Sequence, residues 1–345
     1  MMPYARERLS GGRDYARRAL TVFALLALSA FHPAAGQSFA IQDLGTLGGT
    51  SSQAAGINDR GQVVGQADTA NGVSHAFLFE KGVMTDLGTL GGSSAAFGIN
   101  EPGQVVGSSN THSTIQDAFL FENGVMTDII PGDARTFATG INNRGQIVGY
   151  TGERHGRPLT AAFLYEDGVV TVLPGSLPGA SFSAAFGIND RGQIVGSAII
   201  SPGPYHAFLF ENGVMSDLGT LSGASLSSSR AFGINNRGQV VGVSDTANSQ
   251  HAFFFDNGIM TDLGTLPGGS FSQALGINER GQVVGEADTA SGALHAFLFD
   301  NGVMTDLGTL PGGSFSQAFG INNRGEVVGV ASTASGAQHA VLWTP

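Results

Sequence analysis

The 345-residue sequence contains no cysteine and a single tryptophan, and basic residues are scarce. Without cysteine the chain forms no disulfide, so its stability must come from burial of apolar side chains and from closure of the fold. Only 16 lysines and arginines stand against 27 acidic residues. This balance argues against nucleic acid as a partner, because phosphate binding needs a basic surface.

Glycine, in contrast, is abundant, with 53 copies at about twice its usual share of about 7%. Such a content occurs both in disordered segments and in folded chains rich in turns. Apolar residues make up 41% of the sequence and include 23 phenylalanines. Disordered chains lack the apolar surface that offsets ordering entropy, so the composition predicts a folded all-β chain with many tight turns.

The first 36 residues differ in composition from the rest. Five arginines precede an apolar run over residues 19–31, and the small residues Ala34 and Gly36 follow it. This order is typical of a signal peptide, and a run of about 13 residues is too short for a membrane-spanning helix. We expect removal of residues 1–36 and an extracellular or periplasmic location, with no transmembrane segment in the mature chain. An adjacent pair of arginines leaves twin-arginine export open beside the general secretory route.

The tripeptide Gly-Ile-Asn divides the remaining sequence into seven units of 42 to 47 residues. Each unit continues with a turn, a segment rich in Val or Ile, a variable stretch, and then segments such as His-Ala-Phe-Leu-Phe and Val-Met-Thr-Asp-Leu-Gly. The units begin at Gly56, Gly98, Gly140, Gly187, Gly233, Gly276 and Gly320. The repeat continues to the last residues of the sequence, so one sequence unit should correspond to one structural unit of the fold.

Four short strands are predicted in each unit. The residues from Asn58 to Gly61 suit a type I turn closed by a left-handed glycine, and Asn123 with Gly124 suits a two-residue hairpin. The strands are apolar on both faces, so both faces must be covered. Radially packed four-stranded blades meet this requirement at this repeat length. A stacked solenoid is the structural alternative, although its coils would be parallel and would lack Asn-Gly hairpins.

The two ends of the repeat region complement each other. Residues 40–45 match a fourth strand with no first three strands before them, and residues 339–343 match a third strand with nothing after it. We therefore predict a single seven-bladed β-propeller of four-stranded antiparallel blades over residues 37–345. An N-terminal strand completes the last blade and leaves no exposed edge at the closure.

The His-Ala-Phe segment, set between the Gly-Ile-Asn and Asp-Leu-Gly motifs, resembles the repeat of the bacterial extracellular HAF-repeat family. It occurs at His75, His206, His251 and His295. The resemblance covers residues 39–345 and implies an exported repeat protein. It implies no particular activity, because that family is defined by its repeat. Asp117 and Ala161 replace the histidine in two units.

The repeated polar residues have simple structural explanations. Equivalent histidines would lie on different blades, too far apart to share a metal ion. We expect each to bond the fourth-strand aspartate of its own unit, because buried imidazoles need partners. These aspartates are Asp86, Asp217, Asp262 and Asp306. The asparagines that follow Gly-Ile are expected to form turns by bonding backbone amides. We predict no metal site and no cofactor.

In a four-stranded meander the first and third turns lie on one face of the propeller, which we call the uniform face. The second turn and the link between blades lie on the other, the variable face, where binding sites on rigid scaffolds usually sit. The unit around Gly140 carries the densest unrepeated charge there, and its arginines suit carboxylate, sulfate or phosphate groups. The candidate ligand-binding residues are Asp133, Arg135, Glu153, Arg154, His155 and Arg157. His112, Asp117 and Arg230 are expected on the same face.

No nucleophile elbow, P-loop or dinucleotide fingerprint is present. The sequence favours an exported, monomeric, non-catalytic binding or scaffold module that recognises a protein or an acidic glycan through the variable face. The alternative is a propeller lyase or glycosidase acting on an acidic polysaccharide, with Glu153, His155 and Asp133 as acid and base. A glycosidase would need two carboxyls about 5 to 10 Å apart. A lectin with one site per blade is disfavoured by the single tryptophan, Trp343.

Overall fold

A computed structural model describes residues 39–111, 115–132, 135–152, 161–173, 180–200 and 203–345. All regular elements in these ranges are β-strands. They form seven antiparallel four-stranded sheets, each of which is one blade. The predicted seven-bladed β-propeller is therefore confirmed.

The blades follow one another along the chain, and the N-terminal strand β1 covers Ala40–Asp43. Blade 1 contains β2 (Gly48–Ile57), β3 (Val63–Thr69), β4 (Ser74–Glu80) and β5 (Val83–Asp86). Blade 2 contains β6 (Gly91–Ile99), β7 (Val105–Thr111), β8 (Gln116–Glu122) and β9 (Val125–Asp128). Blade 3 contains β10 (Thr136–Ile141), β11 (Ile147–Thr151), β12 (Ala162–Glu166) and β13 (Val169–Val172).

The second half of the ring repeats this order. Blade 4 contains β14 (Ala180–Ile188), β15 (Ile194–Ile200), β16 (Tyr205–Glu211) and β17 (Val214–Asp217). Blade 5 contains β18 (Ser229–Ile234), β19 (Val240–Asp245), β20 (Gln250–Asp256) and β21 (Ile259–Asp262). Blade 6 contains β22 (Ser272–Ile277), β23 (Val283–Asp288), β24 (Leu294–Asp300) and β25 (Val303–Asp306). Blade 7 contains β26 (Ser316–Ile321), β27 (Val327–Ser332) and β28 (Gln338–Thr344).

The N-terminal strand closes the ring. It is the outer strand of blade 7, where β1 pairs antiparallel with β28 and Ile41 lies opposite Trp343. Trp343 is fully buried, and Ile41 packs against its cluster. Nδ1 of His339 lies 2.8 Å from Oδ2 of Asp43. The predicted completion of the last blade is confirmed, and it joins the two ends of the propeller without a disulfide.

Apolar residues from both faces of every blade form the core. Each of the seven blade interfaces, including the one between blades 7 and 1, holds one buried cluster. Between blades 1 and 2, for example, Val64 and Ala76 pack with Val105 and Phe119, and all four are fully buried. Burial on both faces explains why the strands show no alternation of apolar and polar residues.

The turns have the predicted chemistry. Oδ1 of Asn58 accepts hydrogen bonds from the backbone amides of Arg60 and Gln62, at 3.1 and 3.0 Å. In the outer hairpin, Asn123 and Gly124 have φ values of 53° and 79°, as a type I′ turn requires. These turns make consecutive strands antiparallel neighbours and separate the uniform face from the variable face.

Candidate functional site

Asparagine side chains form a circle on the uniform face, around the central channel of the propeller. The side-chain amide of each asparagine that follows Gly-Ile donates to the backbone carbonyl of the equivalent asparagine in the next blade, at 2.9 to 3.2 Å. The members of this circle are Asn58, Asn100, Asn142, Asn189, Asn235, Asn278 and Asn322. The predicted turn-forming role is confirmed, and the bond between blades is an additional role that sequence analysis missed.

The next residue of each blade forms a second circle at the channel mouth. Its backbone amide donates to a side-chain oxygen of the following blade at 2.6 to 2.9 Å. The members are Asp59, Glu101, Asn143, Asp190, Asn236, Glu279 and Asn323. Burial opposes ionisation of Asp190, but hydrogen bonds from Asn143 and Asn236 hold its pKa below the ordinary value. A cavity of about 200 Å³ lies at this mouth, and it is lined by members of both circles and by the isoleucines that precede them.

The repeated histidines pair with aspartates, as expected. In five blades Nδ1 of the third-strand histidine lies 2.7 to 2.9 Å from Oδ2 of a fourth-strand aspartate. The pairs are His75–Asp86, His206–Asp217, His251–Asp262, His295–Asp306 and His339–Asp43. Within the part of the chain that the structure describes, no group of three or more His, Cys, Asp or Glu residues could hold a metal ion.

Four aromatic side chains from the first and second strands of blades 3 to 5 form a row of ring contacts, and we call them the aromatic strip. The rings of Phe137 and Tyr150 stack with centroids 4.9 Å apart. Tyr150 then meets Phe186 at 6.2 Å, and Phe186 meets Phe232 at 5.3 Å. All four residues are partly exposed. Burial raises the pKa of the Tyr150 hydroxyl above its ordinary value, so the strip is an uncharged surface.

An arginine stands near each end of the strip. Arg135 precedes Phe137 by two residues and Arg230 precedes Phe232 by two residues, and both arginines are exposed. Neither forms an ion pair with any carboxylate in the described ranges. Blades 3 to 5 therefore combine partly exposed ring surface with two cations that lack a counter-ion within the described ranges.

The Arg230 guanidinium has a fixed position. Its Cζ lies 4.4 Å from the centroid of the Tyr205 ring, and Tyr205 itself meets Phe182 edge-on at 5.4 Å. Stacking on an aromatic face orients a guanidinium while its N–H groups stay available as donors. Tyr205 belongs to blade 4, so this contact also crosses a blade boundary.

Arg230 also borders a cavity of about 240 Å³ between blades 5 and 6. Phe232 and Val243 contribute from blade 5, and Gln273 contributes from blade 6. Glu286 lies directly opposite Gln273 on the neighbouring strand, and burial raises the pKa of its carboxyl. The cavity is therefore lined by a cation, an amide and apolar side chains. The Glu286 carboxyl, whose pKa is raised, lies beside it.

Of the six candidate residues, Arg135 alone lies within the described ranges. Its backbone carbonyl accepts a hydrogen bond from the Gly152 amide at 2.6 Å. This bond joins the described residue that precedes the first strand of blade 3 to the one that follows its second strand. The other five, together with His112, lie outside the described residues; they are Asp133, Glu153, Arg154, His155 and Arg157.

Sequence analysis missed the aromatic residues that accompany Arg230. Tyr205, Phe186 and Phe232 lie in strands, whereas the predicted site residues lie in charged loops. One signal was present: four units have phenylalanine directly before Gly-Ile-Asn, at Phe97, Phe186, Phe232 and Phe319, whereas the other three have Ala55, Thr139 and Leu275. Variation at a fixed position of a repeat would have indicated a surface that differs between blades.

No helix in the described parts of the chain has the length and apolarity needed to cross a bilayer. The profile of a family described as proteins of unknown function (DUF3466) matches residues 84–221. No curated protein sequence matches the chain.

Several solved structures share the fold. A mutant puromycin hydrolase complexed with PGG superposes with a TM-score of 0.62 at 16% identity, over 87% of this chain and 53% of its own. Oligogalacturonate lyase from Vibrio parahaemolyticus superposes with a TM-score of 0.59 at 10% identity, over 89% of this chain and 97% of the lyase. The β-propeller domain of the Trilobed protease from Pyrococcus furiosus superposes with a TM-score of 0.55 at 12% identity, over 73% of this chain and 82% of that domain. The chain thus spans about half the length of the puromycin hydrolase. At these identities the similarity shows the β-propeller fold alone.

Proposed function

We propose that this chain is an exported, non-catalytic binding module that holds an acidic glycan on the variable face of its propeller. The position of Arg230 carries the proposal. Its exposed guanidinium is oriented by Tyr205, borders a cavity, and stands at one end of the aromatic strip. Aromatic rings offer flat apolar surface to sugar rings, and arginine is suited to carboxylate and sulfate groups.

Export, membership of the HAF-repeat family and a monomeric state are parts of the same proposal. Export is supported by the signal-peptide pattern of residues 1–36. A location outside the cytoplasm would present the variable face to polysaccharides. The strip favours a glycan over a protein ligand because it is a row of partly exposed rings with a cation near each end, which matches a linear chain of acidic sugars.

Binding to defined polysaccharides tests the proposal. The full chain and an Arg230→Ala variant are titrated with polygalacturonate, alginate and chondroitin sulfate. We expect the wild type to bind at least one of these acidic polymers, and the variant to bind it about tenfold or more weakly, because a charge-assisted hydrogen bond is lost. Binding should also weaken as the salt concentration rises.

Two controls accompany this titration. Neutral dextran tests whether the negative charge of the glycan is needed. Arg280→Ala removes an arginine that packs over the Gly325 turn of the uniform face, and it should leave binding unchanged. Equal binding by wild type and Arg230→Ala, or no binding of any acidic polymer, would contradict the proposed function.

A second candidate is an enzyme that cleaves acidic polysaccharides by β-elimination. Glu286 supports it, because burial raises the pKa of this carboxyl beside the cavity that Arg230 borders, and a base with a raised pKa suits proton abstraction near neutral pH. Elimination creates a conjugated double bond that absorbs in the ultraviolet. Product formation by wild type and its loss in Glu286→Gln would favour the enzyme, whereas binding without product favours the binding module.

A further inference from the structure

Blade 2 differs from all other blades at one polar position shared by its third and fourth strands. Five blades fill this position with a histidine that bonds an aspartate. Blade 3 has Ala161 and Val172 there, so it has lost both polar groups. Blade 2 keeps the aspartate, Asp128, but has Asp117 in place of the histidine. It therefore has two carboxylates where five other blades have one carboxylate and one imidazole.

The Asp117 carboxylate is buried and incompletely bonded. Asp117 is 3% exposed, and its Oδ1 has no hydrogen-bond partner in the described residues. The hydroxyl of Thr111 bonds the same side chain. A buried oxygen without a donor costs free energy, and in native proteins it calls for a proton, a water or an ion.

The Asp128 carboxylate is held like its counterparts in other blades. Its Oδ1 accepts a hydrogen bond from the Ile130 amide at 3.0 Å, as Oδ1 of Asp86 accepts one from the Gly88 amide at 2.7 Å. In blade 1 the second oxygen of Asp86 then meets the histidine. In blade 2 the Asp128 carboxylate is close enough to Asp117 for their charges to interact.

The two carboxylates repel one another when both are ionised. Burial and the nearby Asp128 carboxylate raise the pKa of Asp117 to about 6, and burial raises the pKa of Asp128 as well. Above that pH the position carries two negative charges and no positive partner, in a chain whose formal net charge is already −11. A bound cation would remove this repulsion.

We propose that Asp117 and Asp128 bind one divalent cation, Mg²⁺ or Ca²⁺, which replaces the histidine of the other blades. Carboxylate and hydroxyl oxygens are the ligands that these hard cations prefer. Two carboxylates balance the charge of the ion, and Thr111 adds a neutral oxygen. Water completes the coordination, as is usual for Mg²⁺ held by one or two carboxylates. The ion joins the third strand to the fourth strand, as the imidazole does elsewhere.

Equilibrium dialysis of the full chain tests this site. Protein freed of metal with EDTA is dialysed against MgCl₂ or CaCl₂, and bound metal is measured by elemental analysis. We expect one equivalent in the wild type and none in Asp117→His, which restores the pair found in five blades. Saturating metal should raise the wild-type unfolding temperature by about 2 to 4 °C and leave that of Asp117→His unchanged.

A matched control and a second variant keep the test decisive. Asp86→Asn changes the equivalent aspartate of blade 1 and should keep the full metal response. If Asp117→His fails to fold, Asp128→Asn takes its place, and this variant should bind no metal ion. Absence of bound Mg²⁺ and Ca²⁺ in the wild type at millimolar concentration, or equal binding by wild type and Asp117→His, would overturn the proposal. Glycan binding through Arg230 is measured separately and does not depend on this result.

Discussion

The side-chain amide of Asn322 donates a hydrogen bond to the backbone carbonyl of Asn58, 264 positions earlier in the chain, at 3.2 Å. This bond completes the circle of asparagines on the uniform face. The same side chains also form turns: Oδ1 of Asn142 accepts from the amides of Arg144 and Gln146, each at 3.0 Å. One buried residue type therefore shapes every blade and joins it to the next.

Loss of one member of this circle should destabilise the propeller. Asn142→Ala removes these two acceptor bonds, a donor bond to the Asn189 carbonyl at 3.0 Å and a bond to Gln146. We expect the free energy of unfolding to fall by about 2 to 4 kcal/mol, because buried backbone groups lose their partners. Urea titration measures this change.

Two further variants separate the roles of Asn142. Asn142→Asp keeps the acceptor oxygen but places a buried carboxylate oxygen against Gln146 Oε1 and the Asn189 carbonyl, so it should be at least as unstable as Asn142→Ala. Asn248 is exposed and its side chain makes no hydrogen bond within the described residues, so Asn248→Ala should change stability by less than about 0.5 kcal/mol. Equal effects of Asn142→Ala and Asn248→Ala would show that the circle contributes nothing.

The N-terminal strand should be needed for a closed ring. A chain that starts at Gly45 lacks β1 and so loses Ile41 from the cluster around Trp343. We expect a red shift of tryptophan fluorescence and a lower unfolding temperature, because Trp343 is fully buried in the closed ring and is the only tryptophan. A chain that starts at Gln37 keeps β1 and is the control. Identical emission and stability of the two chains would refute closure by β1.

The blades, their number and the closing strand were predictable because each pattern lies within one unit or at the chain ends. The pairing of His75 with Asp86 was predictable for the same reason, since adjacent strands of a hairpin bring both residues together. Contacts between blades were not predictable. The bond from Asn58 to Asn100 and the strip from Phe137 to Phe232 depend on the angle between neighbouring blades, which no local pattern encodes.

The candidate site was likewise predictable only within a blade and not across a blade boundary. Sequence analysis placed Arg135 and Arg230 on the variable face, because the order of turns decides which end of the blade a residue occupies. It did not find that Tyr205 orients Arg230, because these residues belong to different blades and are 25 positions apart in the sequence. Which rings stack across a blade boundary depends on packing in three dimensions.

Gly285, in the second strand of blade 6, should be irreplaceable. A bulge in the first strand shifts the register between Ala274 and Gly276. A Cβ on Gly285 would lie 1.9 Å from the backbone oxygen of Gln273. We expect Gly285→Ala to lower the free energy of unfolding by about 2 to 4 kcal/mol, because the strands must move apart.

Gly132 provides the matched control for this substitution. A Cβ there would meet no atom within 4 Å, and Gly132 is not among the residues with positive φ. Gly132→Ala should change stability by less than about 0.5 kcal/mol in the same urea titration. If both alanine variants match the wild type, the close approach of the two strands is not a constraint on the sequence.

The carboxyl pair of blade 2 predicts a pH dependence of stability in metal-free protein. The pKa of Asp117 is raised from 3.8 to about 6 in the folded chain by burial and by Asp128. The folded state therefore binds this proton more tightly than the unfolded state, and stability is lost as the pH rises from about 4 to about 6. Asn cannot ionise, so Asp117→Asn should gain on the order of 2 kcal/mol relative to wild type over this range.

Urea titrations in EDTA at about pH 4 and about pH 7 measure this difference. Asp190→Asn is the control, because hydrogen bonds lower the pKa of Asp190. The contribution of Asp190 is present above its unfolded pKa and is lost only as the pH falls below about 4. Its difference from wild type should therefore be the same at both pH values. An Asp117→Asn difference that is also constant would mean that Asp117 ionises in the folded chain as readily as in the unfolded one, and the repulsion that the bound cation is proposed to relieve would be absent.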